Sequence, residues 1–432
     1  MTNFTDNFWV FIMVLDHYGY GLGGWVPGTA MDYQSGFTAG SDLYWMAMAL
    51  AEGMKAVGKA PPNPIVGCVF VKDQKLLAKG ATEEFGGRHG ERVAASRLKE
   101  GEARGGTVYV TLEPCCHTGK QPPCAQLLVE LGIKRCVMAM VDPFHKVNGR
   151  GIRYLEKHGV KVEVGVMAKE AMAWHLPFLF SSHYRRPLLV GKWAQTFDGH
   201  LADDQGGSQW ISGQESRAYT HFLRQKYDAI MVGSGTVIAD IPSLNVRDCR
   251  GPINRSPVKI IIDPKGRILS IDSEIQRHLI RKTFAGEPTI YCGPEHKSSW
   301  LSHVDMVHSI ELKGPIDADL VARLNDCYQS LKDRPLQSIF VEGGPSLLNR
   351  LIGQGLIDVF HTFQRPSILG GHENRLGTAG KEPQRRLMAE KQDLYLLASI
   401  VLGQDIVVES LSQALANDIW KPGLESLHQS HR

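Results

Sequence analysis

The sequence predicts an α/β protein built as two consecutive domains, and three observations carry that expectation. At 432 residues the chain is longer than one hydrophobic core usually serves. Short β-rich runs alternate with segments of helical spacing, the pattern of an open sheet with helices packed on it. The composition then resets at His183-Tyr184-Arg185-Arg186-Pro187, where an amphipathic stretch containing Trp174 and Phe178 gives way to a fresh strand. The expected division is an extension over 1–40, a first domain over 41–186, a second over 187–410 and a polar tail over 411–432.

In the first domain a helix opens at Asp42, read as its N-cap, with Leu43, Ala47, Leu50 and Met54 on one face. Pro61-Pro62-Asn63-Pro64 forces an extended turn, because each residue before a proline is pushed out of the helical region. Ile65 to Val71 reads as a strand and Lys72 to Lys75 as a polar turn. Helices follow over Glu91 to Lys99, Cys124 to Leu131 and Ile152 to His158, with strands over Thr107 to Thr111, Arg135 to Val141 and Val160 to Val166. The second domain offers strands over Leu188 to Ala194, Tyr227 to Gly233, Val258 to Asp263, Thr289 to Cys292 and Ser338 to Glu342. Gly343-Gly344-Pro345 then turns the chain into a helix over Ser346 to Gln354. Ile400 to Glu409, broken by Gly403-Gln404-Asp405, reads as a closing hairpin, and residues beyond about Ser410 as loose.

Composition excludes several classes. Hydrophobic content of 43% and charged content of 22% are those of a globular protein. A net charge of +3 gives no reason to invoke nucleic acid or an acidic membrane surface, so a small-molecule substrate is expected. Eight cysteines, two of them adjacent, do not form a disulfide framework and fit a reducing cytoplasm. The apolar run Phe8 to Leu15 lies between Asp6 and Asp16, with no Lys or Arg before Lys55, and is too short to span a bilayer. No targeting or membrane segment is therefore expected; Met31 is an alternative start, and self-association stays open.

One stretch carries the chemistry. His89-Gly90-Glu91 is followed by Pro114-Cys115 and, after eight intervening residues, Cys124. A His-x-Glu with Pro-Cys and a second cysteine is the zinc-deaminase signature, in which His and two Cys hold the metal and the glutamate moves protons. His89, Cys115 and Cys124 supply the three ligands of a catalytic zinc, with the fourth position left for water. Glu91 at a helix start should be favoured as the ionised carboxylate by the helix dipole.

The run Val110 to Cys124 resembles the deaminase half of the bifunctional riboflavin-biosynthesis deaminase/reductases, whose cysteines have eight residues between them, as here. Pro62-Asn63-Pro64-Ile65-Val66-Gly67 and Asn148-Gly149-Arg150-Gly151 match the same family. The resemblance implies a cytidine-deaminase-like three-layer domain acting on a diaminopyrimidinone with a ribosylamino 5′-phosphate, contacted by Asn63, His117, Lys120 and Asp142. Two positions depart: Thr82 stands where the family usually has His, and Phe144 where it usually has Asn. Gly90 replaces the commoner Ala.

Two glycine turns, Gly233-Ser234-Gly235-Thr236 and Gly343-Gly344-Pro345-Ser346, follow strands in the second half and suit phosphate, though neither is a full dinucleotide fingerprint. Lys192 to Gly199, Gly207 to Ser212 and Val232 to Arg247 resemble the family's reductase half. That implies a dihydrofolate-reductase-like α/β domain using NADPH. The cofactor would contact Ala194, Trp210, Thr236 and Asp240, with its phosphates near Gly344, Pro345, Ser346, Leu347, Leu348, Asn349 and Arg350. The phosphoribosyl substrate would contact Ser208, Arg224, Leu244, Arg247 and Glu342, the two arginines acting as a phosphate clamp. Two other readings are kept: a paralogue with a working reductase and an altered deaminase, and a zinc-stabilised scaffold, which requires a fourth protein ligand.

Overall fold

A computed structural model describes residues 39–116, 121–142, 147–203, 210–248, 253–295, 300–312, 314, 316–370 and 393–422. The chain divides into two compact units, Met1–His183 with Asn417–Arg432, and Tyr184–Ala416.

The first unit opens with α1 (Asp42–Gly53). Its N-cap is Ser41, one residue before the expected Asp42, because the Ser41 hydroxyl accepts the Tyr44 N–H at 3.2 Å. The sheet contains β1 (Gly67–Lys72), β2 (Lys75–Ala81), β3 (Thr107–Val110), β4 (Arg135–Met138) and β5 (Lys161–Val164) in the order β2-β1-β3-β4-β5. β1 runs antiparallel to both its neighbours, while β3, β4 and β5 are mutually parallel. The parallel part is wound by α3 (Cys124–Glu130) and α4 (Arg150–Lys157), and α2 (Gly90–Ala95) and α5 (Ala168–Tyr184) complete the unit. One contact fixes how closely α1 lies on the sheet. A Cβ on Gly67 would fall 1.8 Å from the Ala49 carbonyl oxygen and 2.6 Å from the Gly53 nitrogen, so only glycine lets β1 start there.

The second unit contains β6 (Leu188–Thr196), α6 (Gln214–Lys226), β7 (Ala229–Gly233), α7 (Ser234–Asp240), β8 (Val258–Ile262), α8 (Glu274–Phe284), β9 (Thr289–Gly293), β10 (Val307–Glu311), α9 (Ala318–Lys332), β11 (Ser338–Val341), α10 (Pro345–Gly353), β12 (Val359–Arg365), β13 (Leu394–Leu402) and β14 (Asp405–Ser412). They form one nine-stranded sheet in the order β10-β9-β8-β7-β11-β6-β12-β14-β13. From β10 to β12 every pairing is parallel, and β14 and β13 add an antiparallel hairpin. Both faces of the parallel part are covered, which explains why β8 reads as an unbroken apolar run apart from Lys259. Met231, Ile260, Ile339 and Leu351 pack on one face, and Ile230, Val232, Ile261 and Phe284 on the other.

The tail differs from expectation. β14 continues to Ser412, whose hydroxyl caps a helical stretch through Trp420, and Leu415, Ala416 and Trp420 are buried. Apolar residues at helical spacing order a segment whose overall polarity had suggested a loose end. No described helix is long and apolar enough to cross a membrane.

Candidate metal centre and second-unit site

Each residue of the metal motif sits where a regular element begins or ends. His89 is the N-cap of α2, Cys115 lies just beyond β3, and Cys124 is the first residue of α3, with Pro123 before it. The His89 Nδ1 is 3.6 Å from the Cys115 Sγ and 3.5 Å from the Cys124 Sγ, and the three candidate donor atoms all lie within 4.8 Å of one another. The loop is held by the Cys124 N–H, which donates to the Cys115 sulfur at 3.3 Å, and by the Ala125 N–H, which donates to the Cys115 carbonyl at 3.0 Å. Arg92 ties α2 to the same turn by donating to the Pro122 carbonyl at 2.9 Å. One imidazole and two thiols at this spacing suit zinc. The hydrogen bond with Cys124, then that with His89, holds the Cys115 thiol down to about 4, so it is the readier of the two to act as thiolate. Among the described residues no fourth ligand joins the group, and Cys116 is outside it. A closed four-ligand zinc shell is therefore not formed among the described residues.

Glu91 is 3% exposed. Burial pushes its carboxyl up, against the expectation that the helix dipole would favour the ionised form; α2 is only six residues long, and desolvation outweighs its dipole. Gly90 has a steric reason, since a Cβ there would lie 2.7 Å from the Val66 carbonyl oxygen. Thr82 holds the same turn: its hydroxyl accepts the Val66 N–H at 3.2 Å, and its own N–H donates to the Val66 carbonyl at 2.9 Å. At this departure from the family pattern a backbone-binding hydroxyl stands in place of an imidazole. Asn63 donates its N–H to the Ala60 carbonyl in the proline-rich turn, and Asp142 is buried beyond β4. His117, Lys120 and Phe144 lie outside the described residues.

Sequence reasoning passed over Glu113. Its buried carboxylate accepts four backbone N–H groups, from Asp142, Gly149, Gly151 and Ile152. Nothing in its spacing announces this, because the partners are main chain some thirty residues further on.

In the second unit, β7 and β11 are neighbours, so the two glycine turns that follow them lie side by side. A Cβ on Gly344 would stand 3.7 Å from the Thr236 hydroxyl. Gly344 is the N-cap of α10, Pro345 occupies its first turn and no side chain caps it, which leaves N–H groups able to face a phosphate. Leu347, Leu348, Asn349 and Arg350 continue α10; Leu347 and Leu348 are buried. Asp240 ends α7, and burial pushes its carboxyl up. Ala194 on β6 pairs with Phe363 on β12. Trp210 is 67% exposed with the Arg217 guanidinium 4.6 Å from its ring, so it is not core. Ser208 lies outside the described residues.

The arginines are differently engaged. Arg224 grips Glu342 with two parallel bonds of 2.6 and 3.0 Å and also donates to the Asn245 carbonyl at 3.1 Å. Arg247 donates to the Ser243 hydroxyl and the Asn245 side chain, both at 2.9 Å. Burial pushes the Glu342 carboxyl up, but Arg224, Lys192 and His221 outweigh it and hold the carboxyl below its usual range. Leu244 is buried at φ 52°, so a ligand there would meet main chain. Lys192 on β6 places its Nζ 4.9 Å from the Phe363 ring; burial lowers its pKa while Glu342 and Asp405 act to raise it. His221 was another omission. Its Nδ1 accepts the Arg247 N–H at 3.3 Å, and its place one turn before Arg224 on α6 was readable from the sequence.

A His/Cys/Cys group beside a buried glutamate, followed by a parallel-sheet domain with paired glycine turns, suits a zinc deaminase joined to a nucleotide-binding domain. The cytidine and deoxycytidylate deaminase zinc-binding region matches residues 40–140, and the RibD C-terminal domain matches 187–408. The riboflavin biosynthesis protein RibD of Actinobacillus pleuropneumoniae is 34% identical over 86% of this chain and 96% of its own, and that of Escherichia coli is 34% identical over 78% and 91%. Among solved structures, a diaminohydroxyphosphoribosylaminopyrimidine deaminase/5-amino-6-(5-phosphoribosylamino)uracil reductase from Thermotoga maritima is 30% identical with a TM-score of 0.70, covering 86% of this chain and 98% of its own. Acinetobacter baumannii RibD is 32% identical with a TM-score of 0.69, covering 86% and 99%. The chain belongs to the RibD family. It is a bifunctional enzyme of riboflavin synthesis, a zinc-dependent deaminase and an NADPH-dependent reductase, with a cytidine-deaminase-like fold followed by a dihydrofolate-reductase-like one.

Proposed function

We propose that His89, Cys115 and Cys124 hold the zinc and that Glu91 carries the proton in deamination of 2,5-diamino-6-(5-phosphoribosylamino)pyrimidin-4-one. The observation that carries this is a buried carboxylate two residues from the His ligand in a group with no fourth protein donor among the described residues. Zinc, when bound, supplies an activated water for attack on the C–NH2 carbon. Burial raises Glu91 toward neutrality, which suits a group that takes a proton from water and hands it to departing ammonia. Asn63, His117, Lys120 and Asp142 are the substrate contacts of this domain, taken as 41–186.

In the second domain, taken as 187–410, NADPH supplies a hydride to the sugar carbon, and the ribosyl ring opens to a ribityl chain. Ala194, Trp210, Thr236, Asp240 and the segment Gly344 to Arg350 hold the cofactor. Ser208, Arg224, Leu244, Arg247 and Glu342 face the phosphoribosyl substrate. Because Arg224 is already paired with Glu342, the phosphate falls first to Arg247, while Lys192, whose pKa burial lowers against the pull of Glu342, gives a proton to the opening ring oxygen. Described cysteines that remain thiols fit work in the reducing cytoplasm.

The test follows ammonia release and NADPH oxidation separately for the wild type and Glu91→Ala. The variant should lose ammonia release yet oxidise NADPH at the wild-type rate when given the deaminated intermediate. Ammonia release that survives the substitution would remove Glu91 from the mechanism.

A further inference from the structure

Glu113 stands two residues before a zinc ligand, yet the deamination chemistry assigns it no task. Its side chain is 3% exposed, and a carboxylate so buried must have its lone pairs filled. Among the described residues they are filled by peptide groups alone. One oxygen accepts the N–H of Asp142 at 3.2 Å and of Gly149 at 2.9 Å; the other accepts the N–H of Gly151 at 2.8 Å and of Ile152 at 3.2 Å. The last three donors belong to the start of α4, where a negative charge also meets the positive end of the helix. That part would be an ordinary helix cap reached from a distance.

The bond to Asp142 is not part of such a cap. Asp142 lies beyond β4 and Gly149 is the N-cap of α4, and both are fastened to the same carboxylate oxygen. The first turn of α4 is further pressed onto the turn before Cys115 at Gly151, where a Cβ would fall 2.2 Å from the Pro114 carbonyl and 3.1 Å from the Glu113 Oε1. Glu113 itself is tethered from the other side, its N–H donating to the Met140 carbonyl at 3.0 Å. The turn that carries Cys115 and the segment that carries Asp142 are therefore registered against each other through one side chain.

We propose that Glu113 is a positioning residue of the deaminase, which sets Asp142 and the start of α4 at a fixed distance from the metal-bearing Pro114-Cys115 turn. This rests on the reading of Asp142 as a substrate contact. It predicts that disturbing the clasp weakens substrate binding more than it slows the chemical step.

Two variants disturb it by different routes. Glu113→Gln keeps the shape but leaves one acceptor oxygen for four donors, and its amide hydrogens confront two of them. Gly151→Ala keeps the carboxylate and forces the segment off the Pro114 carbonyl. Each is assayed for bound zinc, for KM and kcat of ammonia release, and for NADPH oxidation on the deaminated intermediate, with Asp142→Asn beside them. Both variants should retain stoichiometric zinc and wild-type NADPH oxidation, with kcat for ammonia release close to wild type and KM raised about ten- to hundredfold, the range for displaced supporting contacts around a site. Loss of zinc together with kcat would make Glu113 a support of the metal loop and overturn the proposal, as would an unchanged KM. Should Gly151→Ala fail to fold, Glu113→Gln decides alone. If Asp142→Asn leaves KM unchanged while the two clasp variants raise it, the assignment of Asp142 falls and the positioning role stands. A raised KM in Asp142→Asn with none in the clasp variants does the reverse.

Discussion

His175, in the middle of α5, should make the first unit acid-labile. The residue is 1% exposed, and neither ring nitrogen has a hydrogen-bond partner among the described residues. Burial, only partly offset by the Thr111 main chain, pulls its pKa from 6.5 down to about 4. The folded protein thus keeps this ring neutral until about pH 4, whereas the unfolded chain takes the proton near 6.5. Between those values the unfolded state binds more protons, so the stability is intact above 6.5 and is lost as pH falls towards 4. At about 1.4 kcal/mol per pH unit, the gap amounts to about 3 kcal/mol. His175→Leu removes the titration. Urea unfolding of both proteins, followed through the transition that abolishes ammonia release, should show equal or greater stability for the variant at neutral pH. Its advantage should widen by about 3 kcal/mol at the acid end of the window. Because the metal ligands titrate in both proteins, the difference between the two curves isolates His175. Parallel curves would refute the reasoning.

Other perturbations follow from packing and charge. Gly67→Ala should lower the first unit's stability by about 1–3 kcal/mol, the cost of overpacking, since α1 must back away from β1; circular-dichroism melting measures it, and an unchanged melting temperature would mean that α1 yields freely. Glu342→Gln should cost the second unit about 2 kcal/mol by stripping the charge from the Arg224 bonds. It should also move the limb of NADPH oxidation governed by Lys192 to lower pH, because an ammonium that loses a neighbouring carboxylate gives up its proton more readily. A pH profile of NADPH oxidation that does not move would detach Lys192 from the rate.

Local rules carried far into this fold. The alternation of strands and helices, the turn at Gly343 to Pro345 and the hairpin around Gly403 are all decided within a few residues, and each appears where the sequence puts it. The metal motif was legible for a similar reason: its order and spacing are constraints of zinc geometry. Several local elements escaped notice, namely β2, α6, α8 and α9, and other omissions depend on partners distant in the chain. β10 and β12 owe their existence to neighbouring strands, with β12 lying beside β6 through seven paired residues from Val359↔Val190 to Arg365↔Thr196. Arg224 looked like a free phosphate hook because Glu342, its partner in space, is over a hundred residues away. Glu91 was misjudged for a different cause, since the dipole of a helix is visible in sequence and the burial of one carboxylate is not.

The clasp at Glu113 has a consequence for how this enzyme can change. It grips peptide groups, and every residue except proline supplies the same N–H. The hold on Asp142 and Gly149 therefore does not depend on which residues lie between them in sequence. The intervening sequence can change, as Phe144 departs from the family pattern here, while Asp142 and Gly149 stay fastened to Glu113. Variation in what the deaminase accepts can accumulate there without the scaffold being rebuilt each time, provided that Gly149 and Gly151 keep the backbone freedom and close approach that the grip requires.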